Sequence, residues 1–416
     1  MLTLSDRPYY PALIIAAILI FGFGLLNLLQ IFFQKDLYYV DKLWLGADYS
    51  AFYCASKHIL QGESPYCEFR YLCPPIPAYL NLIAALCFNK KTAFQLAYFA
   101  SIFFVLCAYL CSAKVFFNTN NRNLKGILLL GLSTILYSYP FYFLIDRGNS
   151  DGIVAFLLVA GLLLLKKNQY ITGCLWAIAA SIKVYPLLLI APLLIARKFK
   201  VIFGFAAMFV MLILLCPHQW WEYVQTRLFQ RIDVGGVWFR SEENGSIVCT
   251  TYYLVIAVQK MLNFVGVRLL LVPFFKQTAM ILYASMLFIM ILADWRLVQR
   301  SSTIEYLYSV AGFIFYFPYM VAVPTTSYHY TLIILIMMIP MLCFLWGHQE
   351  LMIPRKILWF FVIGIALSQT QAVGLTKIFN AGYMHSLPGI GLLLVMIGSV
   401  LVKTWLCFKC NLWGKN

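Results

Sequence analysis

Asp48 stands in Gly46-Ala47-Asp48-Tyr49, about fifteen residues beyond the first apolar run, and opens a helical stretch that reaches Leu60. Two chemistries suit a carboxylate there. It can cap the helix, where negative charge meets the positive end of the backbone dipole. It can also act as a general base that takes a proton from a hydroxyl, because burial near a membrane raises a carboxylate's affinity for protons. Lys183 lies in Ala180-Ser181-Ile182-Lys183-Val184-Tyr185-Pro186, near the end of an apolar run and with no acid beside it in sequence. Such a lysine either snorkels to the interface or pairs with a lipid phosphate, and Pro186 breaks the helix that carries it.

Other polar groups interrupt an otherwise apolar chain. The turn Asp146-Arg147-Gly148-Asn149-Ser150-Asp151 joins two apolar runs. Gly and Asn suit a tight turn, and Asp151 suits a helix start. The turn is either solvated or aims Arg147, Asn149 or Asp151 into the cavity that Asp48 faces. His329 and Tyr330 follow Pro324 among hydroxyls and aromatics, the lining expected of a sugar site. His218, Trp220 and Trp221 lie at an apolar boundary, where Trp is an interface-belt residue or a sugar platform. Arg227, Arg231 and Arg240, with Glu242-Glu243-Asn244-Gly245-Ser246, form a polar loop.

The elements that hold these groups must be membrane helices. The 416 residues are 63% hydrophobic and 11% charged, whereas a soluble chain carries about 25% charged residues. Runs of roughly 20 apolar residues recur, each able to cross about 30 Å of hydrocarbon. The first, 9–33, is read as a retained span, being too long for a signal-peptide core. Short basic loops at 118–125, 166–167, 197–200, 296–300 and 354–356, with the tail 403–415, mark the cytoplasmic side. The predicted spans are 9–33, 92–117, 126–145, 151–166, 170–183, 185–197, 200–216, 276–294, 304–323, 331–346, 357–375 and 388–407. The expected fold is thus an all-α, polytopic helical bundle of about twelve spans, with residues 1–416 forming a single domain. Pieces 71–88 and 247–264 are expected to lie on or dip into the outer leaflet. The acids and the long loops 34–91 and 217–275 then share one extracytoplasmic face.

The net charge of +16 sits mainly at the ends of apolar runs. It therefore reports topology and membrane lipids, not nucleic acid. The 12 Cys are scattered, with no CxxC and no His/Cys cluster at zinc spacing, although Cys67 and Cys73 could pair in an oxidising compartment. There is no P-loop, no GxGxxG with a following acid and no Asp-x-Asp. An enzyme built this way takes its donor from the membrane, and a polyprenyl-phosphate sugar fits that logic without cofactor or metal.

Several short motifs resemble those of glycosyltransferase family 87, enzymes of the GT-C fold. They are Asp48-Tyr49 with Ala55 and Gly62-Glu63-Ser64-Pro65-Tyr66, then Pro74-Pro75 and Gly148-Asn149. The most specific runs from Thr172-Gly173 through Ala177 and Ala179 to Lys183-Val184-Tyr185-Pro186. Asn244-Gly245-Ser246 and His329-Tyr330 complete the set. The chain departs from the usual family pattern in Asn149-Ser150-Asp151 and in the Gly of Asn244-Gly245-Ser246.

The resemblance implies hexose transfer, with mannose the expected sugar, from a polyprenyl-phosphate donor to a lipid or glycan acceptor. The reaction would occur on the outer face of the cytoplasmic membrane, and it is inverting or retaining; attack opposite the lipid phosphate would invert the anomeric carbon. It implies Asp48 as catalytic base, Lys183 as ligand of the donor phosphate and His329 near donor or acceptor; an arginine of the outer loops, Arg147, is expected to help hold the phosphate. Tyr49, Asn149, Asp151 and Tyr185 are the further substrate contacts expected near Asp48, with Asn244 and Tyr330 in later loops. Two rivals remain: a polysaccharide polymerase or ligase, which would use loop arginines and a histidine, and a transporter of lipid-linked sugar.

Overall fold

The structure, a computed structural model, describes residues 46–68, 70–117, 123–228, 275–298, 312–322, 329–347, 353–369 and 387–413, with a few positions between 251 and 263. Regular structure in these residues is entirely helical. In chain order the helices are α1 (Ala47–Leu60), α2 (Ile76–Leu80), α3 (Leu82–Cys87), α4 (Lys90–Phe116), α5 (Asn123–Tyr137), α6 (Tyr139–Arg147), α7 (Asp151–Leu164), α8 (Gln169–Ile182) and α9 (Ile190–Ile195). They continue with α10 (Phe199–Leu215), α11 (Pro217–Tyr223), α12 (Phe275–Val298), α13 (Phe317–Ala322), α14 (Ile333–Ile336), α15 (Ile339–Gly347), α16 (Arg355–Ser368) and α17 (Leu387–Trp413). Tight 3-10 turns lie at Pro65–Cys67, Tyr185–Leu189 and His329–Leu332.

Three helical segments are long and apolar enough to cross a membrane: Lys90–Phe116, Gln277–Leu297 and Pro388–Lys409. Two bent pairs raise the number to five if each counts once: Gly126–Leu136 with Tyr139–Arg147, bent by 59°, and Phe199–Leu215 with Pro217–Leu228, bent by 99°. Several other expected spans are shorter helices of 10–17 residues, and the expected first span lies outside the described residues. The length of the described helices thus supports three to five crossings, not the whole count of twelve. Piece 71–88 is two short helices meeting at Asn81, with Leu80, Ile83 and Leu86 exposed. On α4 the outward residues include Leu96, Phe99 and Phe103, an apolar surface of the kind that marks a membrane contact. Cys67 and Cys73 are both free thiols.

The chain forms two compact units, Met1–Leu187 with Lys200–Gln230 and Ile336–Phe344, and Leu188–Phe199 with Arg231–Leu335 and Leu345–Asn416. In the first unit, α7 and α8 form an antiparallel hairpin. Asn168 caps α8 by accepting from the Ile171 N–H at 3.1 Å. Trp176 Nε1 donates to the Leu158 carbonyl at 2.9 Å, and Thr172 Oγ1 to the Gly161 carbonyl at 3.0 Å. Each helix has 14 residues, about 21 Å at 1.5 Å per residue. Equal antiparallel helices bring the start of α7 level with the end of α8, so Asp151 meets Lys183. Helix α8 also lies against α10 backbone to backbone. A Cβ on Gly173 would strike the Val201 carbonyl and the Phe205 amide, and one on Gly204 the Tyr170 carbonyl. Small residues permit this close approach of membrane helices.

The core around α1 is aromatic. Tyr49, Phe52, Tyr53, Tyr66, Tyr71, Phe94, Trp220 and Tyr223 belong to one buried cluster. Helix α11 closes it through side-chain bonds to the loop after α1: Ser64 Oγ donates to Glu222 at 2.6 Å, and Arg227, just past α11, donates to the Tyr66 carbonyl at 2.8 Å.

In the second unit, α12 and α17 enclose charge. Lys403 is 1% exposed, and its Nζ lies 2.6 and 2.5 Å from the two carboxylate oxygens of Asp294. The Tyr316 hydroxyl donates to the same carboxylate at 2.6 Å, and the Tyr316 ring lies 4.2 Å from Nζ. The sequence assigns Lys403 to a basic cytoplasmic tail. The predicted span 388–407 already includes this position; the correction is that Lys403 is buried and that Asp294 supplies its counter-ion inside the helix pair.

Candidate active site

Helix α6 begins at Ser138, whose hydroxyl accepts from the Phe141 N–H at 3.2 Å, and ends at Gly148 in the left-handed region with φ +64°. The chain reverses there, with the Asn149 N–H donating to the Leu144 carbonyl at 3.1 Å, the closure that a left-handed glycine permits at a helix end. Gly148 is also the point of closest approach to α1. A Cβ on it would lie 2.7 Å from Tyr49 Cβ and 3.1 Å from the Phe94 ring. On the other side, the Gly46 N–H donates to the Asp146 carbonyl at 2.7 Å. The turn and the start of α1 are thus pinned at two points.

This arrangement places Asn149 against Asp48. Asn149 Nδ2 donates to Asp48 Oδ2 at 2.7 Å, with Asp48 half-buried and Asn149 3% exposed. Among the described residues Asn149 Oδ1, also buried, has no hydrogen-bond partner. Native buried polar groups are nearly always paired, so this oxygen is available to a hydroxyl brought by a substrate. Two residues on, Asp151 is fully buried and accepts the Tyr185 hydroxyl on Oδ1 at 2.6 Å. Lys183 Nζ lies 3.5 Å from Asp151 Oδ2, an ion-pair contact longer than a charge-assisted hydrogen bond. The acid that the sequence lacks beside Lys183 therefore comes from the neighbouring helix. The 3-10 turn at Tyr185–Leu189 begins where Pro186 ends the α-helical pattern, and it turns Tyr185 back toward Asp151.

The remaining candidates divide. Tyr49 is 4% exposed, stacks obliquely on Phe94 with centroids 5.9 Å apart, and donates to Asn81 Oδ1 at 3.0 Å. Burial pushes its phenol up to about 12, so it is neutral at physiological pH and is no base. Arg147 is buried, its guanidinium 4.8 Å from the Phe143 ring centroid. His329 and Tyr330 open a 3-10 turn of the second unit. Asn244 lies outside the described residues, as do Arg231 and Arg240. Asn81 was not among the sequence candidates, and its only signal there is a polar residue interrupting an apolar stretch.

Gly148→Ala tests how tightly the turn is held. A left-handed alanine alone costs about 1–2 kcal/mol, and its methyl would press on Tyr49 Cβ. The expected result is a lower unfolding temperature in detergent together with loss of activity, because Asn149 is drawn off Asp48.

With its described residues helical and several of those helices long and apolar enough to cross a bilayer, the chain is an integral membrane protein. It belongs to glycosyltransferase family 87, whose profile matches residues 71–324, more than half of the chain. Asn149, Asp151, Lys183 and Tyr185 fall within that match, and Asp48 lies ahead of it. The chain is also similar to proteins named GPI mannosyltransferase 1. The one from Eremothecium gossypii is 24% identical over 160 residues, 38% of each chain. That of Kluyveromyces lactis is 24% identical over 159 residues, 37% of each chain. That of Saccharomyces cerevisiae is 27% identical over 150 residues, 36% of this chain and 35% of the yeast protein. The chain therefore spans less than two fifths of the length of the curated relatives it matches.

Proposed function

We propose that this glycosyltransferase moves a hexose, most simply mannose, from a polyprenyl-phosphate donor to a hydroxyl of a lipid or glycan acceptor. The reaction takes place at the extracytoplasmic face of a cell membrane. The observation that carries the reading is the single turn whose Asn149 bonds Asp48 while Asp151 holds Lys183 and Tyr185. The names of the relatives support the choice of mannose. In this mechanism Asp48 takes the proton of the acceptor hydroxyl as its oxygen attacks the anomeric carbon. Asn149 fixes the carboxylate through Nδ2 and orients the hydroxyl through Oδ1. The bond from the anomeric carbon to the phosphate oxygen breaks, and its electron pair leaves with the lipid phosphate. Lys183 neutralises the charge that develops there, with its ammonium held by Asp151, which Tyr185 in turn fixes through Oδ1. Attack opposite the phosphate inverts the anomeric centre.

The test is reconstituted protein with radiolabelled polyprenyl-phosphate mannose in one arm and the matching nucleotide sugar in the other. Labelled glycolipid from the lipid donor alone is expected, and product from the nucleotide sugar alone would overturn the donor assignment. Lys183→Ala is expected to raise the KM for the lipid donor about 10- to 100-fold, the equivalent of 1.5–3 kcal/mol for a hydrogen bond to a charged group. Lys90→Ala, at the exposed start of α4, is expected to leave it unchanged. Equal effects of the two would remove the phosphate role. The buried Asp294–Lys403 pair is the feature that a transporter would also carry, but both charges are already satisfied by each other, which favours a fixed structural part over a solute pathway.

A further inference from the structure

Beyond the proposed transfer site, the far end of α1 gathers three groups that the sequence spacing conceals. His58, in the last turn of α1, has Nδ1 2.6 Å from Glu63 Oε2. Cys67 closes the 3-10 turn Pro65–Cys67. Ligand atoms of His58, Glu63 and Cys67 all lie within 4.8 Å of one another. We propose that His58, Glu63 and Cys67 form a site for a zinc-class divalent cation.

The donor set is an imidazole nitrogen, a carboxylate oxygen and a sulfur, each an ordinary zinc ligand at about 2.0–2.3 Å. Ligands at those distances in a tetrahedral site stand roughly 3.3–3.8 Å apart. Binding thus requires sulfur to move in by no more than about 1 Å and the His58–Glu63 contact to open slightly. Exposed Glu63 and Cys67 and half-buried His58 can make those movements by side-chain rotation.

The frame beneath is fixed. Gly62 turns the chain at φ +80°, and the Glu63 N–H donates to the His58 carbonyl at 2.8 Å. The Ser64 hydroxyl caps the Tyr66 N–H at 3.2 Å while bonding Glu222 at 2.6 Å. Arg227 grips the Tyr66 carbonyl at 2.8 Å. The loop is therefore held by α11 on one side and leaves the three ligands on the other. Binding releases the thiol proton, since only the thiolate ligates, and the fourth position is left to water. His58 stands ten residues along α1 from Asp48, about 15 Å on a helix, so the cation staples α1 to its loop and takes no part in sugar transfer.

The test uses full-length protein in detergent, stripped with a chelator and titrated with Co²⁺. One equivalent is expected to bring thiolate-to-cobalt charge-transfer absorption with release of protons. The band should vanish in Cys67→Ser and persist in Cys87→Ser, the other exposed cysteine described. His58→Ala and Glu63→Gln should each weaken Co²⁺ at least about tenfold. Zn²⁺ should raise the unfolding temperature of the wild type and leave Cys67→Ser unmoved. A band that survives Cys67→Ser, or no band at one equivalent, would overturn the site and leave His58 and Glu63 as a simple ion pair.

Discussion

Asp48→Asn is expected to lower the rate of sugar transfer by about 10²–10⁴-fold, the range supplied by a positioned general base. The substitution keeps the size and planarity of the side chain. Its amide oxygen can still accept from Asn149 Nδ2, the bond that measures 2.7 Å in the native protein. What it removes is the capacity to take a proton. The unfolding temperature and donor binding should therefore stay close to the wild type while turnover collapses. Initial rates in proteoliposomes, beside a thermal unfolding curve, separate these quantities. A variant that keeps more than about a tenth of wild-type turnover would exclude Asp48 as the base and favour a polymerase or ligase that relies on loop arginines and a histidine.

The second large effect concerns stability. Asp294→Ala should destabilise the protein by about 3–5 kcal/mol, because it strands the Lys403 ammonium inside the helix pair with no counter-charge. Lys403→Met should act similarly, leaving the Asp294 carboxylate with only the Tyr316 hydroxyl as donor among the described residues. The double change Asp294→Ala with Lys403→Met should be far milder than the sum of the single changes, since two buried charges disappear together. Unfolding midpoints in detergent for the four members of the cycle measure the coupling. Additive losses would mean that the two side chains are held independently, in spite of contacts of 2.5 and 2.6 Å.

The parts of the site that rest on local backbone rules were legible in the sequence. The expected spans 151–166 and 170–183 fall within two residues of α7 and α8 at each end, since Asn168, Gly148 and Pro186 punctuate the chain where helices must start or stop. Asp48 at the head of a helix, Lys183 at the tail of another and the polar turn between α6 and α7 follow from the same signals. Pairings across helices were not legible. Lys183 and Asp151 are far apart in sequence, and a lysine closing an apolar run looks like an interface anchor whether or not an acid awaits it. Lys403 posed the same problem, with Asp294 109 positions away. Helix α4 is apolar on every side, so its sequence does not tell that Tyr98, Val105 and Ala108 turn inward while Phe99 and Phe103 turn out. The His58, Glu63 and Cys67 group was hidden because its spacing depends on the turn at Gly62 and the capped 3-10 turn that follows.

In the proposed reaction, the turn from Gly148 to Asp151 touches both halves of the transfer chemistry. One of its residues contacts the acid that would meet the acceptor, and another contacts the lysine that would meet the departing phosphate. On that proposal, a substitution there changes two recognition tasks together. During divergence within the family, a new acceptor or a new donor is therefore more readily gained at positions elsewhere around the site, where one preference can drift while the other holds. The turn would be among the last places at which relatives with different sugars come to differ, and a library randomised there should yield mostly inactive variants, with few of altered specificity.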